Sequence, residues 1–231
     1  GSGQASSVVT QSGAVSRAVY QRATGVDGEW GRQETSQLPA GNAYSFEYRG
    51  DREMAKAPCP GAARVSQGGQ LKSIAAPGAS GAGPTSENWF DAAGRQIATQ
   101  YAGGAVSCIS FDKGGRIATS EQLGMGSTRK VVYDYAVGGN PLVSETTTTI
   151  GSSVTKARLQ VDLYGRAIDA VDGFGVRTTT TYDPATGNVA TSTITAPGTA
   201  PVSTKTTYDQ FGRVASASVD GETASVTYNS D

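Results

Sequence analysis

The chain alternates short runs of β-branched and aromatic residues with turn signals built from Asp and Gly. Residues 176–182 are β-branched almost throughout, and residues 41–54 place Tyr44, Phe46 and Tyr48 at alternate positions. A period of two in these residue types is typical of β-strands. No segment has the period of a helix of ordinary length. The pattern therefore predicts an all-β chain of consecutive antiparallel hairpins.

The stretch 160–183 contains one complete unit of this pattern. Asp162 precedes Gly165 by three positions, which is typical of a tight turn because the carboxylate accepts backbone N–H bonds just downstream and Gly tolerates positive φ. A strand follows. The dipeptide Asp172-Gly173 is a second turn signal, of the kind favoured in two-residue hairpin loops. The return strand then leads to the next unit at Tyr182.

The same unit recurs along the chain as an aromatic residue, Asp, a short gap, Gly and usually Arg. Its anchor residues are Phe90, Asp91, Gly94 and Arg95; Phe111, Asp112, Gly115 and Arg116; Asp162, Gly165 and Arg166; and Tyr208, Asp209, Gly212 and Arg213. Variants are Tyr133, Asp134 and Gly138; Tyr182, Asp183, Gly187 and Asn188; and Tyr228-Asn229. Successive Asp positions lie 21 to 28 residues apart (112−91 = 21, 162−134 = 28), a period that indicates a stacked array of repeats.

The Tyr-Asp and Gly-Arg pattern, with a Thr-rich run leading to the next Tyr-Asp, resembles the YD repeat of the RHS family of bacterial polymorphic toxins, insecticidal toxin complexes and teneurins. The resemblance covers residues 88–231 well and residues 1–87 only faintly. It implies a curved, spiralling strip of stacked hairpins, which in the family forms a β-shell that can enclose a toxin. It further implies an exported bacterial protein whose partners are the rest of its parent chain and the enclosed toxin domain.

The expected organisation has three parts. Residues 1–3, Gly-Ser-Gly, resemble a cloning remnant rather than a signal peptide. Residues 4–87 are expected to hold divergent β-repeats with an insertion rich in Ala, Gly and Pro, and residues 88–231 the regular hairpin array. Pro58, Pro60, Pro77 and Pro84 predict a loop or an insertion over residues 57–86, with a short strand near residues 70–74. A further hairpin is expected around Asp27-Gly28.

Composition and charge limit the kinds of core and of binding partner that this chain can have. Large apolar side chains are scarce beside 31 Gly, so a single compact aliphatic core is not expected. Lys and Arg number 19 against 20 Asp and Glu, and the net charge of −1 argues against nucleic acid or an anionic membrane as a partner. No apolar run approaches the length of a membrane span.

The residue types of this chain give little support for an enzymatic function. The chain has no His, which removes the usual Ser-His-Asp and Cys-His arrangements, and its 2 Cys cannot form an ordinary zinc site. We therefore expect no catalytic residue, no metal and no cofactor. A hydrolase using two carboxylates stays as an alternative. The recurring Asp residues are instead assigned to turn capping, and the recurring Arg residues are expected to lie on a neighbouring ring and to pair with an Asp of the adjacent unit.

Two local features leave alternatives open. Cys59 and Cys108 either form a disulfide, closing a loop of about 50 residues and stabilising the fold by roughly 4 kcal/mol, or are two separate buried thiols. The tripeptide Arg49-Gly50-Asp51 matches a known integrin-binding sequence, but it falls where a repeat turn is expected, and a turn is the simpler interpretation.

The repeat aromatics are expected to form a ladder of rings, each packed on the ring of the next hairpin. The sequence thus favours a structural part of an RHS-type protein. The alternative is a module that binds carbohydrate or a cell surface. Open strand edges would favour self-association in either case.

The glycines of the repeat turns provide a first test. Gly165→Val and Gly212→Val should each destabilise the protein by more than about 1 kcal/mol, because a β-branched residue is strained at positive φ. Urea unfolding would measure both. Losses within about 0.5 kcal/mol of the parent, the scatter of ordinary surface changes, would contradict the assigned turns.

Overall fold

The structure of this chain is a computed structural model that describes residues 6–20, 31–78, 81–124 and 126–229. Strands dominate these residues, which contain no α-helix and a single 3-10 turn, Val137–Gly139. No helix among them is long and apolar enough to cross a membrane. The all-β fold class is therefore confirmed. The hairpin expected around Asp27-Gly28 lies outside the described residues.

The chain divides into two compact units, Gly1–Lys130 and Val131–Asp231. The regular repeats thus begin inside the first unit. Strands of the first unit are β1 (Ser7–Val9), β2 (Val15–Tyr20), β3 (Gln33–Gln37), β4 (Ala43–Tyr48), β5 (Met54–Lys56), β6 (Arg64–Ser66), β7 (Leu71–Gly78), β8 (Gly81–Phe90), β9 (Gln96–Tyr101), β10 (Val106–Phe111) and β11 (Ile117–Leu123). The unit boundary falls within β12 (Arg129–Asp134). Strands of the second unit are β13 (Val143–Ile150), β14 (Ser153–Val161), β15 (Ala167–Val171), β16 (Arg177–Tyr182), β17 (Val189–Thr195), β18 (Val202–Tyr208), β19 (Val214–Val219) and β20 (Glu222–Ser225).

Strands that follow one another in the chain pair antiparallel. In the first unit β1 to β4 pair in order, β4 pairs with β7, and β7 to β11 again pair in order. Strands β5 and β6 form a separate two-stranded sheet. In the second unit every strand from β13 to β20 pairs with the next. Consecutive antiparallel hairpins, as the sequence predicted, are therefore confirmed.

A β-bulge recurs at the same point of these hairpins. Tyr182 lies opposite Val189 whereas Thr181 lies opposite Thr191, which leaves Ala190 as an extra residue. The equivalent shift precedes Tyr20, Tyr48, Phe90, Phe111, Val161 and Tyr208. An extra residue reverses the side-chain alternation and increases local twist. This explains why the strand after each Gly-Arg pair alternates only loosely in the sequence.

Buried apolar residues are few. One cluster in the first unit consists of Ala57, Trp89, Ala98, Val106 and Cys108. In the described part of the second unit, the buried apolar residues are Val131 and Val143. Most other strand residues are half-buried, so backbone ladders and the contacts at the turns must contribute much of the stability.

The short strand expected near residues 70–74 is present as the first part of β7, but the loop or insertion expected over residues 57–86 is wrong beyond it, since residues 71–78 and 81–86 are strand. Strands β7 and β8 form a long hairpin that includes both Pro77 and Pro84. Ala75 lies opposite Thr85 and Pro77 opposite Ala82, so that the stretch containing Pro84 is a bulge. Proline lacks the N–H that a regular ladder requires, and a bulge is one of the places where a sheet tolerates this loss.

The second turn of the unit also differs from its expected form. Residues 172–176 do not form a two-residue loop centred on Asp172-Gly173. Instead the Asp172 carboxylate accepts the N–H groups of Phe174 and Val176, each at 2.9 Å, and Gly175 has a φ of +82°. The turn is thus the same Asp-x-x-Gly turn as at Asp162, because Gly175 rather than Gly173 supplies the positive φ.

These two glycines provide a matched pair of substitutions. Gly175→Ala should destabilise by more than about 1 kcal/mol, because an L-residue is strained at this φ and its Cβ would lie 3.2 Å from Pro197 Cγ. Gly173→Ala should stay within about 0.5 kcal/mol of the parent, because its nearest contact would be an ordinary 3.5 Å to Thr155 Cβ. Urea unfolding of both variants decides the matter, and a reversed order would contradict the turn geometry.

Candidate functional site

The repeat turns are organised by the Asp carboxylate. Asp162 Oδ1 accepts the backbone N–H groups of Tyr164 at 2.9 Å and Arg166 at 3.0 Å. The Gly165 N–H donates to the Asp162 carbonyl at 3.0 Å, and Gly165 has a φ of +78°. One oxygen of the side chain therefore satisfies two N–H groups that the hairpin ladder leaves unpaired. The same carboxylate geometry occurs at Asp91, Asp112 and Asp209.

The repeat Arg completes the turn. Arg166 Nε and Nη2 both lie 2.7 Å from Asp162 Oδ2, the oxygen that the backbone does not use. Pairs of the same kind join Arg95 to Asp91, Arg116 to Asp112 and Arg213 to Asp209. The sequence had predicted pairing with an Asp of the adjacent unit, and this is wrong. The Arg follows the turn at once, so its side chain reaches the Asp four positions earlier.

The same Arg side chain also contacts the adjacent hairpin, through the aromatic ring of that hairpin. The Arg166 guanidinium carbon lies 4.2 Å from the centroid of the Tyr182 ring. Arg95 over Phe111 and Arg213 over Tyr228 are each at 4.1 Å. These distances are those of cation–π contacts, so each Arg links its own turn to the next hairpin.

The tyrosine hydroxyls add a second link at the same position. Tyr182 Oη donates to the Ala167 carbonyl at 2.8 Å, and Ala167 directly follows Arg166. Tyr208 and Tyr228 bond in the same way to the carbonyls of Val189 and Val214, at 2.7 and 3.0 Å. A repeat Tyr therefore contacts both the side chain and the backbone of the preceding unit, whereas Phe111 can make only the first contact.

The ladder of stacked rings expected from the sequence is therefore wrong. Phe111 and Tyr182 are covered by a guanidinium rather than by the ring of the preceding repeat. The ring stack that involves a repeat aromatic is local: Tyr133 and Tyr135 lie 6.3 Å apart near the end of β12. We call the recurring set of turn Asp, Gly and Arg with the following aromatic residue the turn column.

Two of the three variant turns, at Asp134 and Asp183, keep the Asp but lack the Arg. Asp183 Oδ1 accepts the N–H groups of Ala185 and Thr186, and Asn188 Nδ2 donates to the Gly212 carbonyl at 3.4 Å. Asn188 thus keeps one contact to the next turn without a charge. At the other variant turn, the Asp134 carboxylate accepts the Ala136 N–H at 2.9 Å, and the 3-10 turn Val137–Gly139 follows, with Gly138 at a φ of +63°.

The turn column also extends into residues where the sequence showed only a faint resemblance. Arg32 lies 5.3 Å from the Tyr48 ring, and Tyr48 Oη donates to the Gln33 carbonyl at 3.1 Å. Tyr48 follows Arg32 by the 16 positions that separate Phe111 from Arg95 (48−32 = 111−95 = 16). That spacing, together with the Gly31-Arg32 pair, is the signal from which this repeat could have been found.

The turn after Tyr48 has been expanded by an insertion. Arg49 N–H donates to the Gln70 carbonyl at 2.9 Å and Gly69 N–H to the Arg49 carbonyl at 3.0 Å. These are the two backbone bonds that Asp91, Gly94 and Arg95 make in an ordinary repeat. Residues 50–68, which include β5 and β6, are therefore inserted into a repeat turn whose Asp and Arg positions are occupied by Arg49 and Gln70.

Arg49 cannot act as an adhesive Arg-Gly-Asp residue in this conformation. Only 6% of its side chain is exposed, and it pairs with Glu53 at 2.6 Å and Glu87 at 2.9 Å. Its guanidinium also lies 6.0 Å from the Trp89 ring. The residue anchors the insertion to β8, and the interpretation of Arg49-Gly50-Asp51 as part of a turn holds.

A disulfide fixes the insertion from its other side. Cys59 of the insertion is bonded to Cys108 of β10, with the two Cα atoms 5.8 Å apart. Ala57 is buried in the cluster around Trp89, and Gln67 forms two hydrogen bonds with the Phe90 backbone, at 2.7 and 3.1 Å. The insertion is therefore held against β8 and β10 by a covalent bond, an apolar cluster and polar contacts.

The electrostatics of the turn column favour ionised carboxylates. Burial opposes ionisation of Asp162, but the N–H of Arg166, its guanidinium and the N–H of Tyr164 together hold the pKa of this Asp below its ordinary value. Asp91 and Asp209 have their pKa lowered by the same balance. For Asp112 and Asp183 the largest cause of the lowered pKa is a backbone N–H, of Arg116 and Thr186 respectively.

The column residues engage one another rather than a reacting group. Within the part of the chain that the structure describes, no cluster of three His, Cys, Asp or Glu residues could hold a metal ion. What the arrangement does chemically is to neutralise charge inside each turn and to join successive hairpins.

Several solved structures are similar to this chain, including the following two. The crystal structure of TcdB2-TccC3-Cdc42 aligns with 89% of this chain at a TM-score of 0.41 and 12% identity. The crystal structure of TcdB2-TccC3-TEV aligns with 92% at a TM-score of 0.32 and 11% identity. This chain spans only 12% and 16% of the length of those chains. No family model and no curated protein matches the chain.

The Arg of the turn column can be tested by a conservative change. Arg166→Lys should destabilise by about 1 kcal/mol, because an ammonium keeps the charge but loses the planar contact with the Tyr182 ring and the geometry of the Asp162 pair. Arg129→Lys, at an exposed position outside the column, should stay within about 0.5 kcal/mol. Urea unfolding measures both, and equal losses would contradict the linking role of Arg166.

The lowered pKa values of the Asp residues predict the pH dependence of stability. Between the folded and unfolded pKa values the unfolded chain binds more protons, so stability falls as pH decreases. The unfolding free energy should stay level from pH about 8 to 5 and fall below pH about 4, near the ordinary pKa of Asp. Asp162→Asn should make this fall shallower. Urea unfolding across pH measures it, and a level curve down to pH about 2 would show that the column carboxylates do not stabilise the fold.

Proposed function

We propose that this chain is a structural part of an RHS/YD-repeat protein, in which its hairpins form a section of a β-shell or an extended scaffold. The observation that carries the proposal is the turn column. Arg166 binds both Asp162 and the Tyr182 ring, and the same set of contacts recurs at Arg95 and Arg213. Side chains used this way are occupied by the scaffold, so we also propose that the role is not enzymatic.

The disulfide supports an exported protein. Bonds such as Cys59–Cys108 form and persist in oxidising surroundings outside the bacterial cytoplasm. On this proposal the partners are the remaining repeats of the parent chain and a toxin domain that the shell encloses, as the resemblance to the RHS family implies. On this proposal the protein acts after secretion or at the cell surface.

Electron microscopy of the protein encoded by the complete gene tests the scaffold role. We expect a hollow particle whose interior segment resists protease until the shell is denatured. An open, extended particle in which all segments are digested at similar rates would overturn the enclosing role, although it would leave an extended scaffold standing.

A second candidate function has an observation of its own. Three aromatic side chains at turn tips are strongly exposed: Tyr164 at 85%, Phe174 at 88% and Phe211 at 72%. Exposed rings stack on the apolar faces of ligands. Tyr164 and Phe211 have a guanidinium near one face, at 5.0 and 5.1 Å, but most of each ring is open to solvent. These tips are the residues that would carry binding to a carbohydrate or a cell surface.

Glycan-array binding separates this candidate from the scaffold. The adhesin role predicts binding that is lost in the Tyr164→Ala/Phe211→Ala double variant and kept in Tyr182→Phe, which changes the column but no tip. Absence of binding by the parent chain, or equal binding by both variants, would count against a carbohydrate site at the tips.

A further inference from the structure

A cleft opens between the insertion and the sheet of the first unit. Its volume is about 250 Å³, and its walls include Pro60 and Ala62 of the insertion, the turn residues Asp91 and Arg95, and Phe111. Its floor carries the side chains of Ser110, Thr119 and Glu121 from β10 and β11. Both Cys of the disulfide also line the cleft. The cleft is therefore formed where the disulfide holds the insertion against β10.

The polar groups of the cleft are almost all satisfied internally. Asp91 accepts two backbone N–H groups and pairs with Arg95 at 2.7 Å. The hydroxyls of Ser110 and Thr119 lie 2.6 Å apart and bond to each other. The Arg95 guanidinium already covers one face of the Phe111 ring, at 4.1 Å. These groups shape the cleft, but none of them has a free charge to offer a ligand.

Glu121 is the exception. It lies directly opposite Cys108 in the β10–β11 register, beside the disulfide, and is half-buried. Among the described residues its carboxylate has no hydrogen bond and no ion pair. Because Asp91 and Arg95 cancel, this carboxylate leaves the cleft with a charge of −1. A carboxylate only accepts hydrogen bonds, so the complementary ligand group is a cationic donor.

We infer that this cleft is a binding site for a small primary amine, whose ammonium group pairs with Glu121 while the rest of the ligand lies between Phe111 and the Pro60–Ala62 wall. At about 30 Å³ per water the cleft has the volume of roughly eight waters, which suits one ring or one long side chain rather than a larger molecule. The inference does not depend on the scaffold role, since the insertion lies outside the regular repeat.

Matched probes that differ in the amine test the site. D-Glucosamine is compared with D-glucose, and Nα-acetyl-lysine methylamide with its norleucine counterpart, by NMR titration of the disulfide-bonded chain. We expect the amines to bind in the millimolar range, at least about tenfold more tightly than their neutral partners, as a charge-assisted hydrogen bond provides. Preference for glucosamine indicates a free amine as ligand, and preference for the lysine derivative indicates a lysine side chain of a partner.

A pair of variants assigns the binding to the cleft. Glu121→Gln should weaken amine binding at least about tenfold, whereas Glu222→Gln, at an exposed position of β20, should leave it unchanged. Amide shifts in the parent chain at Ser110, Thr119 and Glu121 locate the site without any substitution, so the inference is testable even where Glu121→Gln folds poorly. The proposal is overturned by no binding up to about 20 mM, by equal binding of amine and neutral probes, or by shifts that map elsewhere.

Discussion

The regular hairpins of this chain are joined by the Arg that follows the turn, because the side chains of Arg95, Arg166 and Arg213 each make two contacts in opposite directions. Towards its own turn it shares Oδ2 of the Asp, and towards the next hairpin it covers an aromatic ring. Each contact is modest: an exposed ion pair contributes about 0.2–1 kcal/mol and an exposed cation–π contact about 0.5–1 kcal/mol. These contacts stabilise the fold because they are repeated along a sheet whose buried apolar core is small.

The residues of the turn column can vary because backbone hydrogen bonds close the turn, whatever side chain its first residue has. The two backbone bonds that close the turn are the same whether its first residue is Asp91 or Arg49. The side chain can therefore change, as it does where Asn188 and Gln70 replace the Arg, provided that glycine supplies positive φ. Gly69 retains that conformation at the base of a long insertion. A repeat turn is thus a site where extra chain can be added without disturbing the ladder on either side.

This arrangement separates the scaffold from the surfaces that are free to interact. Inside the column, charge is neutralised and hydroxyls are bonded, so column residues are poor candidates for contact with other molecules. The exposed rings at Tyr164, Phe174 and Phe211 lie at turn tips, and two of them keep one face near a column Arg, Tyr164 at 5.0 Å from Arg166 and Phe211 at 5.1 Å from Arg213. The insertion adds a different kind of surface to the first unit, a cleft walled by a disulfide and carrying the unpaired carboxylate of Glu121.

The sequence by itself determined the all-β class, the consecutive hairpins, and the capping Asp and the glycine at Gly165, because turn chemistry and strand patterning act over a few residues. It did not reveal the partner of Arg166, the repeat at Arg32 and Tyr48, or the pairing of β7 with β8 through Pro84. Arg166 pairs with Asp162 because the folded turn brings the two side chains together, and the other two features depend on a strand register that a bulge shifts. An extra residue such as Ala190 reverses which side chains share a face, and only the folded ladder fixes where that reversal occurs.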